Sequence, residues 1–418
     1  MSNYPFKASS DDNSEGGEFQ KSRTPAGEYG VRTSGLVEIA SSHGVPKPTS
    51  CDDIPVPMPD LEQPLPFIEN KAYDHSRIAD FLSLSVARNH HANGGPVAAL
   101  LEKVVAAIVG LPDSREVVAV SNGTLALHLA AAAHSPDGTP LRWVASAFNF
   151  FSCGVGPLSN TRIIDCDENG RFDLDRLKSL PEDSYDGVIY TNVFAQQSDW
   201  DAVADFCASR GKAFIVDNAT GLLDRPRSAL SSDGPIETIS AHHTKPWGVG
   251  EGGLVICDKT QAARIRALAN FGWSHDENWN GLANNAKISD LAASAILDRL
   301  EKMEFWAALY HAQDGRMREI VADANCGAAP FSVKVPIHSP RTHTPFLATN
   351  PVDVFAERAA GPVILRKYYL PMKTNHPANE PAPMAESLFA RIFCLSNAPE
   401  MSLIPSAKIA DQVRRLCE

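Results

Sequence analysis

The eight cysteines of this chain (Cys51, Cys153, Cys166, Cys207, Cys257, Cys326, Cys394 and Cys417) include no Cys-x-x-Cys pair and no Cys/His ligand spacing. That excludes a zinc ribbon or finger legible in sequence and offers no disulfide framework. Several lie in apolar runs, as small buried hydrophobes do in a reducing compartment. No apolar run approaches the roughly 20 residues of a membrane span. The opening residues lack a basic-then-apolar leader pattern, so a cytoplasmic location is expected. Positive charge is also in deficit: 38 Lys and Arg stand against 50 Asp and Glu, a formal net charge of −12. Nucleic acid and anionic membrane are therefore not expected as main partners. A small anionic ligand is still compatible, because helix ends and a few cations make a pocket locally positive. No internal repeat is evident.

What the chain does have is length and alternation. Its 418 residues can bury a large core and divide into two domains. Residues 1–52 are rich in Ser, Gly, Asp, Glu, Lys and Pro without a sustained period, and read as a flexible extension. The Pro-rich stretch 55–66 reads as an extended arm. Apolar periodicity predicts helices over 78–87 and 96–109. Strand-like runs follow at 116–120, 143–147, 162–165, 187–192, 213–216, 238–241 and 253–257, with helix-like runs such as 124–133 and 201–209 between them. This alternation predicts an α/β fold, its mainly parallel seven-stranded sheet covered on both faces. The large domain is expected over 53–258 and a helical connection over 259–314, with helices at 261–269 and 288–311. A smaller C-terminal α+β domain is expected over 315–418, with a strand at 363–366 and helices at 385–392 and 407–416.

The most informative residue is Lys245, in the run Ser240-Ala241-His242-His243-Thr244-Lys245 followed by the glycine-rich Pro246 to Gly253. Strand, lysine, glycine turn and second strand can hold one amine at the mouth of a sheet. Kept from bulk water, it can lose its proton and form a Schiff base with a carbonyl; an ordinary solvated lysine is the other reading. Ser121-Asn122-Gly123-Thr124 follows a strand and opens a helix, presenting free N–H groups that suit a phosphate. The same residue types also cap helices purely for stability. Asp217 ends a strand, where parallel sheets bind ligands, and can hold a ring-nitrogen proton or cap the next turn. One ring of Phe148-Asn149-Phe150-Phe151 can stack on a flat cofactor, the others packing in the core. The segment 284–290 opens the helix at 288 with capping residues, Asn285 and Ser289 among them. In this order, phosphate turn, aromatic, strand-end Asp and Ser-x-x-x-x-Lys are what a pyridoxal phosphate site needs.

These residues also carry a family resemblance. The segments SNGTLALHLA, VFAQQSDWDAVADFCASRGKAFIVDNA, SAHHTKPWGVGEGG, NNAKISDLAASAILDRLE and LRKYYLPMK resemble, in order and spacing, the DegT/DnrJ/EryC1/StrS sugar aminotransferases. These are fold type I enzymes of pyridoxal 5'-phosphate. The resemblance covers residues 55–418 approximately. It implies that Lys245 bonds to the cofactor aldehyde and shuttles protons, and that Asp217 pairs with the pyridine nitrogen. It also implies that Phe150 stacks on the ring, and that Gly123, Thr124 and Ser240 bind the phosphate. Asn285 matches an asparagine reaching the phosphate of the neighbouring subunit, which implies a homodimer with shared active sites. Two departures stand out: Asn218-Ala219-Thr220 replaces the small residues and His or Gln common after Asp217, leaving Thr220 for the ring hydroxyl, and Ala195 replaces a common glycine.

The activity so implied is transfer of an amino group from L-glutamate to the keto sugar of a nucleotide-sugar, in amino-deoxysugar biosynthesis. Relatives with histidine for the lysine are dehydratases, so Lys245 favours transamination. Substrate contacts are assigned to Phe271, Trp273 and His275 in a loop and to Arg366 and Tyr368, with Lys367 and Tyr369 beside them; surface salt bridging is the alternative for the charged ones. Two other readings stay open: a keto-cyclitol or other secondary-metabolite ketone as acceptor, and a non-catalytic binding or regulatory protein on the same fold.

Overall fold

The computed structural model describes residues 33–48, 58–135, 137–196, 199–228, 230, 234–273, 281–331, 340–357 and 361–418. Seven strands form the main sheet: β1 (Arg115–Val120), β2 (Trp143–Ser146), β3 (Arg162–Ile164), β4 (Gly187–Thr191), β5 (Ala213–Asp217), β6 (Ile236–Ser240) and β7 (Gly253–Asp258). Their order is β1-β7-β6-β5-β4-β2-β3. All neighbours pair in parallel except β7, which is antiparallel to both β1 and β6. The seven expected strands are thus all present, within a residue or two at most ends.

Side-chain alternation explains the layers. Val118, Val120 and Val255 point into one core with the helix Gly123–Ala133, whereas Val117, Ala119, Leu254 and Ile256 point into the opposite one. That second core is closed by the helices His75–Arg88, Pro96–Ile108 and Asp290–Glu301. With both faces covered, strands such as β4 and β6 are buried at every position, and Ala213–Val216 of β5 reads as an unbroken apolar run. Register brings Thr191, Asp217 and Thr238 abreast, and places Gly253 between Val120 and Ser240. The ends of β1, β5 and β6 and the start of β7 therefore share one edge.

A second, antiparallel sheet is built from β8 (Ala328–Pro330), β9 (His343–Ala348) and β10 (Ile392–Ser396), in the order β10-β9-β8. The helices Met303–Ala324 and Ser406–Cys417 pack with it around a third core.

Three expectations need correction. Residues 33–42 are not part of a flexible extension: they form the helix Thr33–Ser42, whose Leu36 and Ala40 are buried in the second core. Residues 1–32 and 49–57 lie outside the described residues. The helix expected over 288–311 is two, Asp290–Glu301 and Met303–Ala324, separated at Lys302 where Trp306 Nε1 takes the Arg299 carbonyl at 2.7 Å. Met303, Trp306 and Tyr310 of that second helix sit in the large core, and its Met317, Ile320 and Val321 in the small one. The helix Lys259–Leu268 likewise belongs to the large core. Finally, 363–366 makes only isolated bridges, Val363 with Leu65 of the Pro-rich arm and Arg366 with Cys394 of β10.

Candidate active site

The connection from β6 to β7 arches over the shared strand edge and carries Lys245. Hydrogen bonds Ala241 N to Gly252 O (2.8 Å) and His243 N to Gly250 O (2.7 Å) zip its base, and Lys245 N to His242 O (2.8 Å) closes the tip. Gly248 must be glycine, since a Cβ would lie 2.2 Å from the His242 carbonyl oxygen. Trp247 is fully buried and donates to Ser240 O at 2.8 Å, pinning the turn to the end of β6.

Lys245 and Asp217 face each other electrostatically. Burial lowers the Lys245 pKa from 10.5 to about 8, with Asp217 opposing the shift. The neutral amine at pH 7 is then roughly 300-fold more abundant than in a free lysine. Burial raises the Asp217 carboxyl to about 6, against the opposing pull of the Ala219 N–H and of Lys245. Its partners are few: Ala219 N at 3.2 Å and the Cys153 thiol at 3.9 Å. Such a carboxylate suits a protonated ring nitrogen brought beside it.

The phosphate end is a helix N-terminus fitted to the β6 end. Asn122 caps the helix Gly123–Ala133, its Oδ1 accepting from Leu125 N at 2.9 Å. A Cβ on Gly123 would stand 2.8 Å from Ser240 Cβ, and one on Gly253 would stand 2.3 Å from the Asn122 carbonyl oxygen. Those two glycines let turn, strand and Ser240 hydroxyl close on one small space. Thr124 Oγ1 lies 2.9 Å from Ser152 Oγ. Strand-end carboxylate, amine and N–H cradle are brought together as pyridoxal phosphate requires, so the residues present fit that group.

The aromatic run divides. Phe148 is fully buried in the core, while Phe150 and Phe151 are half exposed. Phe150 N donates to Asn149 Oδ1 at 2.6 Å, and that oxygen also accepts from Thr191 Oγ1 at 2.7 Å. Tyr369, stacked on Phe194 at 5.0 Å, meets Phe150 edge-on at 6.4 Å. Tyr368 stacks on His343 at 5.1 Å, and Arg366 donates to the Tyr368 hydroxyl at 3.1 Å. Burial, then Lys245, Arg341 and Arg366, lower the His343 imidazole to about 3. His343 and the segment 366–369 thus lie against Phe150 and Phe194.

Asn285, Phe271 and Trp273 form a separate exposed group beside β1. Asn285 bridges Asn270, Phe271 N donates to Asn284 O at 3.0 Å, and Ser121 N donates to Ala286 O at 2.7 Å. Lys287 lies over the Phe271 ring at 4.5 Å and donates to Asn285 Oδ1 at 2.6 Å. Ser289, not Asn285, caps the next helix. His275 lies outside the described residues. Thr220 is half-buried in the turn after Asp217. Its neighbour Asn218 donates to Gly221 O, Asp224 and Glu237, each at 3.2 Å, and serves a buried polar network instead of the pocket.

Sequence reasoning missed Lys71, His343 and Phe194. No motif marks Lys71 or His343, and Phe194, though inside the segment VFAQQSDW, was not singled out there. The αL turn at Phe194 and Ala195 (φ 56° and 55°) had one signal, the alanine in place of a glycine.

Among solved structures, DesI with its TDP-sugar product aligns over 86% of this chain and 94% of its own, with a TM-score of 0.72 at 23% identity. A Bacillus cereus protein described as a putative PLP-dependent aminotransferase aligns over 85% and 99%, with a TM-score of 0.69 at 18% identity. The fold is therefore that of the type I pyridoxal-phosphate-dependent transferases. A model of the DegT/DnrJ/EryC1/StrS aminotransferase family matches residues 76–414, and the chain belongs to that family. A dTDP-4-amino-4,6-dideoxy-D-glucose transaminase of Shigella dysenteriae is 27% identical over 232 residues, 54% of this chain and 61% of the relative. GDP-perosamine synthase of Caulobacter vibrioides is 26% identical over 202 residues, 46% and 53% respectively. The chain spans about six-tenths of the length of the first of these relatives and about half of the second. Among the described residues no helix is long and apolar enough to cross a membrane.

Proposed function

We propose that this protein is a pyridoxal-phosphate-dependent aminotransferase that moves the amino group of L-glutamate to the keto sugar of a nucleotide-sugar. The observation that carries the reading is the pair of half-buried Lys245 and buried Asp217 at the strand edge, set beside the open helix N-terminus at Gly123. When bound, the cofactor supplies a carbonyl that bonds to amines and a protonated ring that accepts electrons from the adjacent carbon.

The chain's own residues do the rest. Asp217 holds the proton of the ring nitrogen. The Gly123 and Thr124 N–H groups and the Ser240 hydroxyl take the phosphate, and the exposed face of Phe150 covers the flat ring. Thr220 reaches the ring hydroxyl. Lys245 would hold the cofactor aldehyde, and its free amine, with a pKa of about 8, would take a proton from the donor carbon and later return one to the sugar carbon. Arg366 and Tyr368 contact the acceptor. Asn285, exposed beside Ser121, reaches the phosphate of a second subunit in a homodimer.

The test is an absorbance spectrum of protein with pyridoxal phosphate, before and after L-glutamate, beside Lys245→Ala. A visible band that glutamate converts to near-ultraviolet absorbance, absent in the variant, is expected. A wild type with no band overturns the reading in favour of a non-catalytic protein. Conversion by glutamate followed by turnover of a keto-cyclitol, with nucleoside-diphosphate keto sugars inert, overturns the choice of acceptor.

A further inference from the structure

A second lysine lies against the turn that carries Lys245. Lys71 Nζ donates to His243 O at 2.7 Å, to Gly248 O at 2.7 Å and to the carbonyl oxygen of Lys245 itself. Three carbonyls need three N–H donors, and only the protonated ammonium carries three. Burial, then Arg299, push the Lys71 pKa well down, while Glu69 opposes them; Lys245 also lowers it and Glu400 raises it. The ring of carbonyls is what favours the charged form in this setting.

The residues before Lys71 anchor it from two directions. Glu69 Oε2 accepts from Arg299 Nη2 at 2.6 Å and from the Tyr310 hydroxyl at 2.8 Å, and Arg299 Nε in turn donates to Pro246 O at 2.8 Å. Asn70 N donates to Glu400 Oε1 at 2.9 Å, next to the small sheet. Four carbonyls of the turn, those of His243, Lys245, Pro246 and Gly248, are thereby drawn onto two cations. Peptide groups so held cannot rotate, and the Lys245 side chain starts from a fixed backbone.

We propose that Lys71 is a positioning residue for Lys245: its ammonium gathers the carbonyls of His243, Lys245 and Gly248 and fixes the backbone from which the Lys245 amine reaches toward Asp217. The proposal rests on the reading of Lys245 as the reactive amine. It does not depend on the identity of donor or acceptor.

The experiment uses cofactor-free full-length protein, pulse-labelled with formaldehyde and cyanoborohydride from pH 6 to 10, with modification of the Lys245 peptide read by mass spectrometry. In wild type half-maximal labelling is expected near pH 8. In Lys71→Ala the turn relaxes and the midpoint moves up by a unit or more, a fall in labelling at pH 8 of about fivefold or greater. Propylammonium, which replaces the missing side chain, restores the wild-type profile, and 1-propanol does not. Where Lys71→Ala does not fold, Lys71→Arg decides: it keeps the charge, but no single guanidinium nitrogen carries three N–H groups to meet three carbonyls converging on one point, so the midpoint again rises. A folded variant of either kind with the wild-type midpoint, or rescue by 1-propanol as well, overturns the proposal. A wild type that forms no visible band with pyridoxal phosphate would strike the aminotransferase reading alone, since the labelling profile is measured without the cofactor.

Discussion

Asp217 and Asn218 are adjacent at the end of β5, yet they enter two buried charged clusters of opposite character. Asp217 meets the Ala219 N–H, a thiol and the field of Lys245, and the pair is displaced toward neutrality, the carboxyl up to about 6 and the amine down to about 8. Asn218 belongs to a cluster with Arg227, Asp224, Glu237 and Asn192 that is displaced toward full charge. There burial alone would lower the Arg227 pKa, but Glu237 and Asp224 more than offset it; burial alone would raise Glu237, but Arg227, Arg225 and Asn218 together more than offset it. Arg227 makes five hydrogen-bond contacts, to the carbonyls of Gly221, Leu222 and Arg225 and to Asp224 and Glu237, at 2.7 to 3.1 Å. Dense pairing, which leaves only Arg227 Nε and Glu237 Oε1 of these two side chains without a partner, holds the charges of one cluster in place; scarce pairing leaves the groups of the other ready to exchange protons. The direction of the pKa shift separates the structural cluster from the reactive one.

The widest separation comes from removing one cation from each cluster. Lys245→Ala should cut glutamate-dependent conversion of bound cofactor by about 10³-fold or more, while the thermal midpoint stays within a few degrees. Arg227→Met should do the reverse. Stranding Glu237 and Asp224 without their cation should cost about 3–5 kcal/mol, read as a lower denaturation midpoint, with activity lost only in proportion to unfolded protein. If Arg227→Met stays stable and loses turnover, the division between the clusters is wrong.

The two clusters were unequally legible in sequence. Lys245, Asp217, Gly123 and Ser240 stand at strand ends or turns with local signals, so their convergence followed once the parallel sheet was read. Strands buried on both faces, such as Ala213–Asp217, announced themselves as apolar runs. The helix Thr33–Ser42 did not, because its apolar face is short and its flanks are polar; only the second core makes it stable. Lys71 was invisible for a different reason. Nothing near it in sequence marks it, and its partners are carbonyls roughly 170 positions away. Asn218 was read as a departure from the family pattern, and its network with residues 192, 224 and 237 gives that departure a structural cause.

A smaller effect tests the reactive cluster through stability. The folded pKa of Asp217 is raised from 3.8 to about 6, so its favourable contribution is present below about pH 4 and is lost as pH rises through 6. Asp217→Asn removes that loss. The cofactor-free variant should be more stable than wild type at pH 7.5, by on the order of 3 kcal/mol at most, with the gap closing at pH 4. Denaturant titrations at the two pH values decide it. An equal gap at both would show that the carboxylate is not an interior charge. Conversion of cofactor by glutamate should fall in the same variant, so stability and function would move in opposite directions at one atom pair.

The smallest effect concerns the strained turn behind the aromatic wall. Phe194 and Ala195 both sit in the left-handed region, and Ala195 is buried. A non-glycine residue there costs about 1–2 kcal/mol; glycine would relieve that strain, but its greater freedom in the unfolded chain cancels part of the gain. The turn persists because Phe194 is held by Tyr369 at 5.0 Å, His343 at 5.5 Å and Phe331 at 5.8 Å. Ala195→Gly should therefore raise the thermal midpoint slightly, by about 1–2 °C, and leave the Lys245 labelling profile unchanged. A drop in the midpoint would mean that the buried methyl contributes more by packing than it costs in backbone strain. A shifted labelling profile would mean that the turn, like Lys71, takes part in setting the amine, and the reactive cluster would then extend to the far wall of the pocket.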